Sequence, residues 1–368
     1  MAVEGAITVS LSIDGGHVRR AEIHSTRLVN AATALAGRPL AEVQHLVPLL
    51  FPVCGVAQGV ACTRAIEAAL GRPADAKVEL AREIACLAEA AVSHVWQLAV
   101  TWPEAAGTPT AIERVREARH ASAALHAAIF EDKGTDALRA VIAETDAREA
   151  AARLARLIAT LGEGEATLAR RVIDEWREGF GRGSGVTRAA GALDLAAVGA
   201  RLSADPLFAD RPELGGPLDV SAFARQRQSR PVADLEAEHG RGVLTRLAAR
   251  ILEARAVIDR MNALLDQLVG EAPAAVTGAA RSASPGPAEG LGLADTARGP
   301  LVYRITLESE LVDDVRVVAP TDWTFHPRGA LARGLEGAVA TPTLERDAGW
   351  FVVALDPCVP WKIEVRDA

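Results

Sequence analysis

The chain has 368 residues, 49% of them apolar and 24% charged, with a formal net charge of −8. This describes a globular protein of roughly one to three domains with a large core, and the acidic balance argues against generic nucleic-acid binding, which needs a basic face. No run reaches the ~18 uninterrupted apolar residues of a membrane helix, Met1-Ala2-Val3-Glu4 has neither the basic head nor the apolar run of a signal peptide, and four cysteines make no disulfide scaffold, so a reducing cytoplasm is the expected setting.

From the start of the chain, Ile7, Val9, Leu11 and Ile13 alternate with Thr8, Ser10 and Ser12 up to Asp14-Gly15-Gly16. This predicts a hairpin, with Val18 to Ile23 as the return strand. A short helix is expected over 26–36, stopped by Gly37, and another from Pro39 to His45, followed by the apolar segment Leu46–Phe51. A long helical zone opens at Cys54. Residues 58–70 run to Gly71, and 75–101 carry Val78, Leu80, Ile84, Leu87, Val92, Val95, Trp96 and Leu98 at helical spacing. The pattern continues over 108–129, 134–161 and 164–176, where Glu144 and Arg148 form an i,i+4 pair suited to an exposed face. An alanine-rich chain with one Tyr and seven Phe favours closely packed helices.

Residues 177–200 are Gly-rich, and 201–220 contain Pro206, Pro212 and Pro217; both read as loops, the first with a short element. One long amphipathic helix is expected over 233–268, with a candidate break at Gly240-Arg241-Gly242. The Gly-, Ala-, Pro- and Ser-rich stretch 270–297 reads as a linker or crossover loop. Strands are expected at 301–308, 312–319 and 350–355. The fold class is therefore α+β, a mainly helical core with β elements from both chain ends. We divide one 368-residue unit into a β/helical portion (1–50), a helical core (51–270), a flexible crossover (271–297) and a C-terminal β portion (298–368).

The candidate chemistry centres on Cys54 in Phe51-Pro52-Val53-Cys54-Gly55-Val56 and Cys358 in Leu355-Asp356-Pro357-Cys358-Val359-Pro360. Two thiolates held by turns could grip a metal that prefers sulfur. Cys62 and Cys86 lie inside apolar helical patterns and read as buried small hydrophobes, and a zinc site using all four cysteines would have irregular spacing. His94 lies two turns beyond Cys86 on the same face, either as a ligand or as a hydrogen-bonded interior histidine. Arg298, just before a strand, is either a surface charge or a fork of donors over an anion. Pro320-Thr321-Asp322-Trp323 and His326 form a further polar cluster. There is no Walker motif, GxGxxG, HExxH, GxSxG or CxxC, and no convincing pairing of nucleophile and base.

Five segments, taken in order, resemble the large subunit of nickel–iron hydrogenases in reduced form, and in particular the accessory group of hydrogenase expression/formation proteins known as HupK or HoxV. Val3-Glu4-Gly5 with the following hairpin is similar to the opening strand pair of those subunits. Pro52 to Ala57 resembles Arg-x-Cys-Gly-x-Cys, and Thr296-Ala297-Arg298-Gly299 resembles Ala-Pro-Arg-Gly. Pro320 to Trp323 resembles Pro-Thr-x-Trp, and Asp356 to Trp361 resembles Asp-Pro-Cys-x-x-Cys. The resemblance is good over about 1–100 and 296–368 and weak between them.

The resemblance implies a reduced large-subunit-like fold, and its departures imply the function. In the family, four cysteines hold nickel and an iron bearing cyanide and carbon monoxide. Here the first position of each pair is kept as Cys54 and Cys358, while the bridging positions are Ala57 and Trp361. Pro52 replaces the opening arginine and Glu364 replaces the late histidine, and nothing comparable to the family's removable C-terminal peptide is expected after Glu364. A non-catalytic chain that receives no nickel is expected. The implied role is a scaffold or carrier in hydrogenase maturation, holding the Fe(CN)2(CO) fragment transiently on Cys54 and Cys358. Arg298 would meet a cyanide nitrogen, with Thr321 and Asp356 in support. Glu4 resembles a proton-relaying glutamate, though a strand-end glutamate can simply accept backbone hydrogen bonds. The implied partners are the hydrogenase large subunit, a HypC-type chaperone and HypD. The rival readings are a metal-free assembly chaperone, a catalytic subunit recruiting Cys62 about two helical turns from Cys54, and a helical protein with no metal role.

Overall fold

The computed structural model describes residues 5–26, 29–130, 143–176, 187–270 and 280–367. The alternation at the start forms the expected hairpin. Strand β1 (Ile7–Asp14) pairs antiparallel with β2 (His17–Ser25) and buries Ile7, Val9 and Leu11 on one face. Gly15 and Gly16 take the turn at φ 59° and 75°, which favours residues without a Cβ. On its other edge β1 pairs in parallel with the last strand, so the two β ends of the chain share one sheet.

The helical zone follows. A 3-10 turn (Val29–Leu35) ends before Gly37, and α1 (Leu40–Leu50) runs on through Pro48, taking in the apolar stretch expected beyond it. A second 3-10 turn (Pro52–Cys54) leads into α2 (Gly55–Leu70), which stops at Gly71 in the left-handed conformation. Helix α3 (Ala76–Trp96) starts at Asp75, whose side chain accepts from Val78 N at 2.9 Å. It passes through a widened π turn (Gln97–Thr101) into α4 (Trp102–Ala105). Helices α5 (Ile112–Ile129) and α6 (Glu144–Trp176) follow. Helix α6 is one helix where two were expected. Gly162 and Gly164 lie inside it: a glycine costs about 1 kcal/mol in a helix without breaking it. Residues 134–142 of that expectation lie outside the described residues. Helices α3, α5 and α6 pack with the later helix over Val243–Val269 around an alanine-rich core. Two helical stretches, Pro52–Leu70 and Ala76–Ala105, are long and apolar enough to cross a membrane; 56% and 72% of those windows are buried, so core packing accounts for their apolarity.

The region expected as loops holds β3 (Arg188–Ala189), α7 (Leu195–Ala204) and β4 (Leu218–Asp219). Asp194 starts α7 by accepting from Ala197 N at 3.1 Å. Then come α8 (Ala222–Gln226), α9 (Arg230–His239) and α10 (Val243–Val269). The expected long helix is indeed broken at Gly240, which has φ 70°.

Two expectations are corrected beyond this point. Of the supposed crossover 271–297, residues 271–279 lie outside the described residues, but β5 (Ser282–Gly286) and β6 (Glu289–Thr296) are strands. They form a four-stranded sheet, β5-β6-β7-β8, with β7 (Gly299–Glu308) and β8 (Leu311–Val318). Glycine here serves close packing. A Cβ on Gly290 would stand 1.9 Å from Ala65 O, and one on Gly292 would stand 2.0 Å from Ala61 O. Bare glycines let α2 lie directly on β6. The second correction concerns 350–355, which is the end of a helix, α13, rather than a strand. The portion 298–368 is thus mixed, with α11 (Pro320–Thr324), α12 (Ala330–Leu335) and α13 (Leu344–Leu355) before the final strand β9 (Trp361–Asp367). A short continuous apolar run does not distinguish a buried strand from a buried helix. Here Trp350 to Leu355 are all buried in one cluster with Trp102, Leu247 and Leu331. Strand β9 pairs with β1 from Ile7↔Trp361 to Ile13↔Asp367, in the order β2-β1-β9.

Candidate functional site

Cys54 closes the 3-10 turn that precedes α2. A Cβ on Gly55 would meet Pro48 O at 3.0 Å, so the glycine lets the turn tuck against α1. One helical turn on, Gln58 donates through Nε2 to Cys54 Sγ at 3.4 Å. The buried Tyr303 hydroxyl of β7 donates in turn to Gln58 Oε1 and fixes that amide. The first turn of α2 leaves backbone N–H groups without intrahelical partners. Glu89 of α3 takes two of them, accepting from Val56 N at 2.9 Å and Ala57 N at 3.0 Å. A carboxyl here also lies at the positive end of the helix dipole.

Cys358 follows the end of α13. The helix stops at Asp356, which adopts φ 61° and ψ 73°, a left-handed conformation that Asp tolerates better than most residues. The Asp356 side chain is fully buried and held from three directions. Its Oδ1 accepts from Arg298 Nη2 at 3.0 Å and from Gln97 Nε2 at 2.6 Å, while Arg250 Nη1 lies 2.9 Å from Oδ2. Arg298 Nε also donates to the Asp356 carbonyl at 3.2 Å. The turn bearing Cys358 is therefore clamped to the π turn after α3, to α10 and to the start of β7, and β9 then ties it to β1. Thr321 Oγ1 lies 3.6 Å from Cys358 Sγ.

A cleft of about 1590 Å³ opens over this arrangement, with Cys358, Arg298, Glu89, Gln97, Trp96 and Trp361 among its lining residues. Cys54, Cys358 and Arg298 lie within electrostatic reach of one another. Burial, reinforced by Glu89 and Cys358, pushes the Cys54 thiol up to about 12 against the pull of Gln58 and Arg298. Burial raises Glu89 to about 7, although two backbone donors and Arg298 favour its charge. Burial also works against the Arg298 charge, but Asp356 and the two sulfurs outweigh it and hold Arg298 above its usual range. Arg250, buried between other cations, is pulled below its usual range despite Asp356. In this environment Cys54 rests as a thiol, and a bound metal would have to displace its proton.

The structure brings together Cys54, Cys358, Arg298, Asp356 and Thr321. Cys62 and Cys86 are packed in the hydrophobic core between α1, α2 and the four-stranded sheet, and neither lines the cleft. His94 is fully buried, and burial followed by Arg250, Arg225 and Arg298 holds its imidazole well below its usual range. Neither of its ring nitrogens has a hydrogen-bond partner among the described residues. Glu4 lies outside the described residues. Ala57 is buried, and the Trp361 side chain stands on the cleft wall. Among the described residues no three His, Cys, Asp or Glu side chains gather into a metal cage. Gln58, Glu89, Gln97, Arg250 and Tyr303 were not anticipated. Glu89, Ser93 and Gln97 recur every four residues along α3 and its π turn and all line the cleft, and that polar stripe was the available signal.

The fold is that of a nickel–iron hydrogenase large subunit. The chain superposes on the reduced Ni-Fe-Se hydrogenase from D. vulgaris Hildenborough with a TM-score of 0.67 at 16% identity, over 94% of each chain. For an NAD+-reducing [NiFe]-hydrogenase the TM-score is 0.65 at 19% identity, again over 94% of each chain. The family model described as nickel-dependent hydrogenase matches residues 221–345. The sequence is 31% identical to the hydrogenase expression/formation protein HupK of Azotobacter vinelandii over 99% of both chains. It is 27% identical to the expression/formation protein HoxV of Cupriavidus necator, over 92% of this chain and 91% of the other. The chain belongs to this HupK/HoxV family of hydrogenase expression/formation proteins and is a hydrogenase maturation factor built on the large-subunit fold.

Proposed function

We propose that this maturation factor holds the Fe(CN)2(CO) fragment on Cys54 and Cys358 and passes it to a hydrogenase large subunit, without taking nickel. The observation that carries the reading is the convergence of two cysteines from opposite ends of the chain beside one buried arginine. The cargo suits these residues. Two sulfurs give a soft, incomplete ligand set, and a fragment that brings its own diatomic ligands needs few from the protein. Arg298 spends Nε and Nη2 on Asp356, which leaves Nη1 without a partner among the described residues as a donor for a cyanide nitrogen. Glu89, raised to about 7 and within electrostatic reach of Cys54, is the acceptor this reading assigns to the proton that Cys54 must lose. The open cleft leaves room for a partner to take the cargo away. On this reading the protein works in the cytoplasm with a HypC-type chaperone and HypD.

The test is infrared spectroscopy with iron and nickel analysis, on protein purified anaerobically from cells expressing the maturation machinery. The Cys54→Ala/Cys358→Ala double variant is run beside it. Cyanide and carbonyl bands with iron but no nickel, lost in the variant, are expected. Absence of bands from a protein that still forms a stable complex with a maturation partner would replace this reading with a metal-free assembly chaperone.

A further inference from the structure

A second cavity, of about 450 Å³, shares no lining residue with the cysteine cleft. Four arginines line it: Arg188 of β3, Arg227 just after α8, Arg241 between α9 and α10, and Arg333 of α12. The turn Gly215-Gly216-Pro217 closes one side. Four guanidinium groups converging from four elements stand out in a chain of net charge −8.

Three of these groups are fixed in place by a part of their donor set. Glu236 accepts from Arg227 Nε at 2.9 Å and from Arg241 Nε at 2.7 Å. Arg241 Nη1 donates to Thr187 O at 2.7 Å, and its guanidinium stacks over Phe223 at 5.6 Å. Arg188 Nη2 donates to Leu214 O. Both Nη groups of Arg227, Nη2 of Arg241, and Nε and Nη1 of Arg188 have no partner among the described residues. The backbone N–H groups of Gly215 and Gly216 likewise donate to no described residue. Held by one edge, each fork presents the other at little entropic cost. Among the described residues Glu236 is the one carboxylate paired with Arg188, Arg227 or Arg241, so these three guanidinium groups keep a surplus of positive charge.

We propose that this pocket binds a phosphate group, free or carried by a nucleotide. A tetrahedral, multiply charged oxyanion accepts from donors arriving from several directions, which a planar carboxylate does less well. The volume lies in the range of small-molecule sites. An acidic peptide would call for an extended basic groove, whereas these donors converge on one cavity.

The test is isothermal titration calorimetry on the full chain at constant ionic strength, with sodium phosphate, ATP and a hexaglutamate peptide as separate titrants. Saturable binding of phosphate or ATP is expected, weakened about tenfold or more by Arg188→Gln and by Arg227→Gln, since each removes charge-assisted donors. Both side chains are substantially exposed, so the variants keep the fold, which circular dichroism checks. Equal affinity for phosphate and ATP would identify free phosphate as the ligand, and tighter binding of ATP would identify a nucleotide. No saturable binding of either, affinity unchanged in the double variant, or tighter binding of the hexaglutamate would overturn the proposal.

Discussion

Asp356→Asn isolates the electrostatic clamp behind the second cysteine. Asparagine is nearly isosteric and also tolerates the left-handed backbone at φ 61°, so the substitution removes charge while keeping shape. Among the described residues Asp356 is the one carboxylate paired with Arg298 and with Arg250. Those side chains are 10% and 1% exposed, and that of Asp356 is fully buried. Removing one partner of a buried ion pair costs about 3–5 kcal/mol, because the other charge stays buried without compensation. Here two guanidinium groups lose their counter-charge, and the new amide also sets a donor against Arg250 or Arg298. We expect a loss of about 3–5 kcal/mol in urea unfolding, read from the midpoint at unchanged slope. Arg250→Met in the Asp356→Asn background relieves one stranded cation. The double variant should then be more stable than the sum of the single effects by about 1–3 kcal/mol. Cys358 in Asp356→Asn should also alkylate faster, because its turn is no longer clamped. A loss under ~1 kcal/mol with no coupling to Arg250 would refute the claim that buried charge compensation holds this turn.

Two other measurements probe the frame and the first cysteine. Gly292→Ala should cost more than ~3 kcal/mol or leave the protein insoluble, because its Cβ would sit 2.0 Å from Ala61 O. Gly71→Ala, at φ 64° with open space around it, should cost only about 1 kcal/mol; similar losses at the two sites would contradict direct packing of α2 on β6. Glu89 holds its proton more tightly when folded, at about 7, than at its ordinary value of 4.5. Its contribution to stability is therefore complete below pH 4.5 and is lost as pH rises to about 7. Over that window wild type should lose stability relative to Glu89→Gln, and parallel pH curves would show that Glu89 does not titrate there.

Much of the local structure was legible in the sequence alone. Alternation around Gly15-Gly16 specified the first hairpin, helical spacing marked the zone from Cys54 onward, and Gly71 and Gly240 placed their breaks. The short motifs around Cys54, Arg298, Thr321 and Cys358 indicated the family and picked out residues that meet at one site. These signals are local, since each follows from the period of burial along one element or from the conformation that one residue permits. Tertiary structure decided the rest. The glycines of β6 looked like a linker because composition does not reveal a helix lying on them, and Trp350–Leu355 became helix because the run is buried on every side. Glu89 and Arg250 gain their meaning from groups far away in the chain: the open N–H groups of α2 and the carboxylate of Asp356. The meeting of the two cysteines depends on contacts far apart in sequence: Arg298, Gln97 and Arg250 hold Asp356 beside Cys358, and β9 adds in parallel to β1. Such a pairing joins opposite ends of the chain, and the alternation of β1 does not specify which strand takes its second edge.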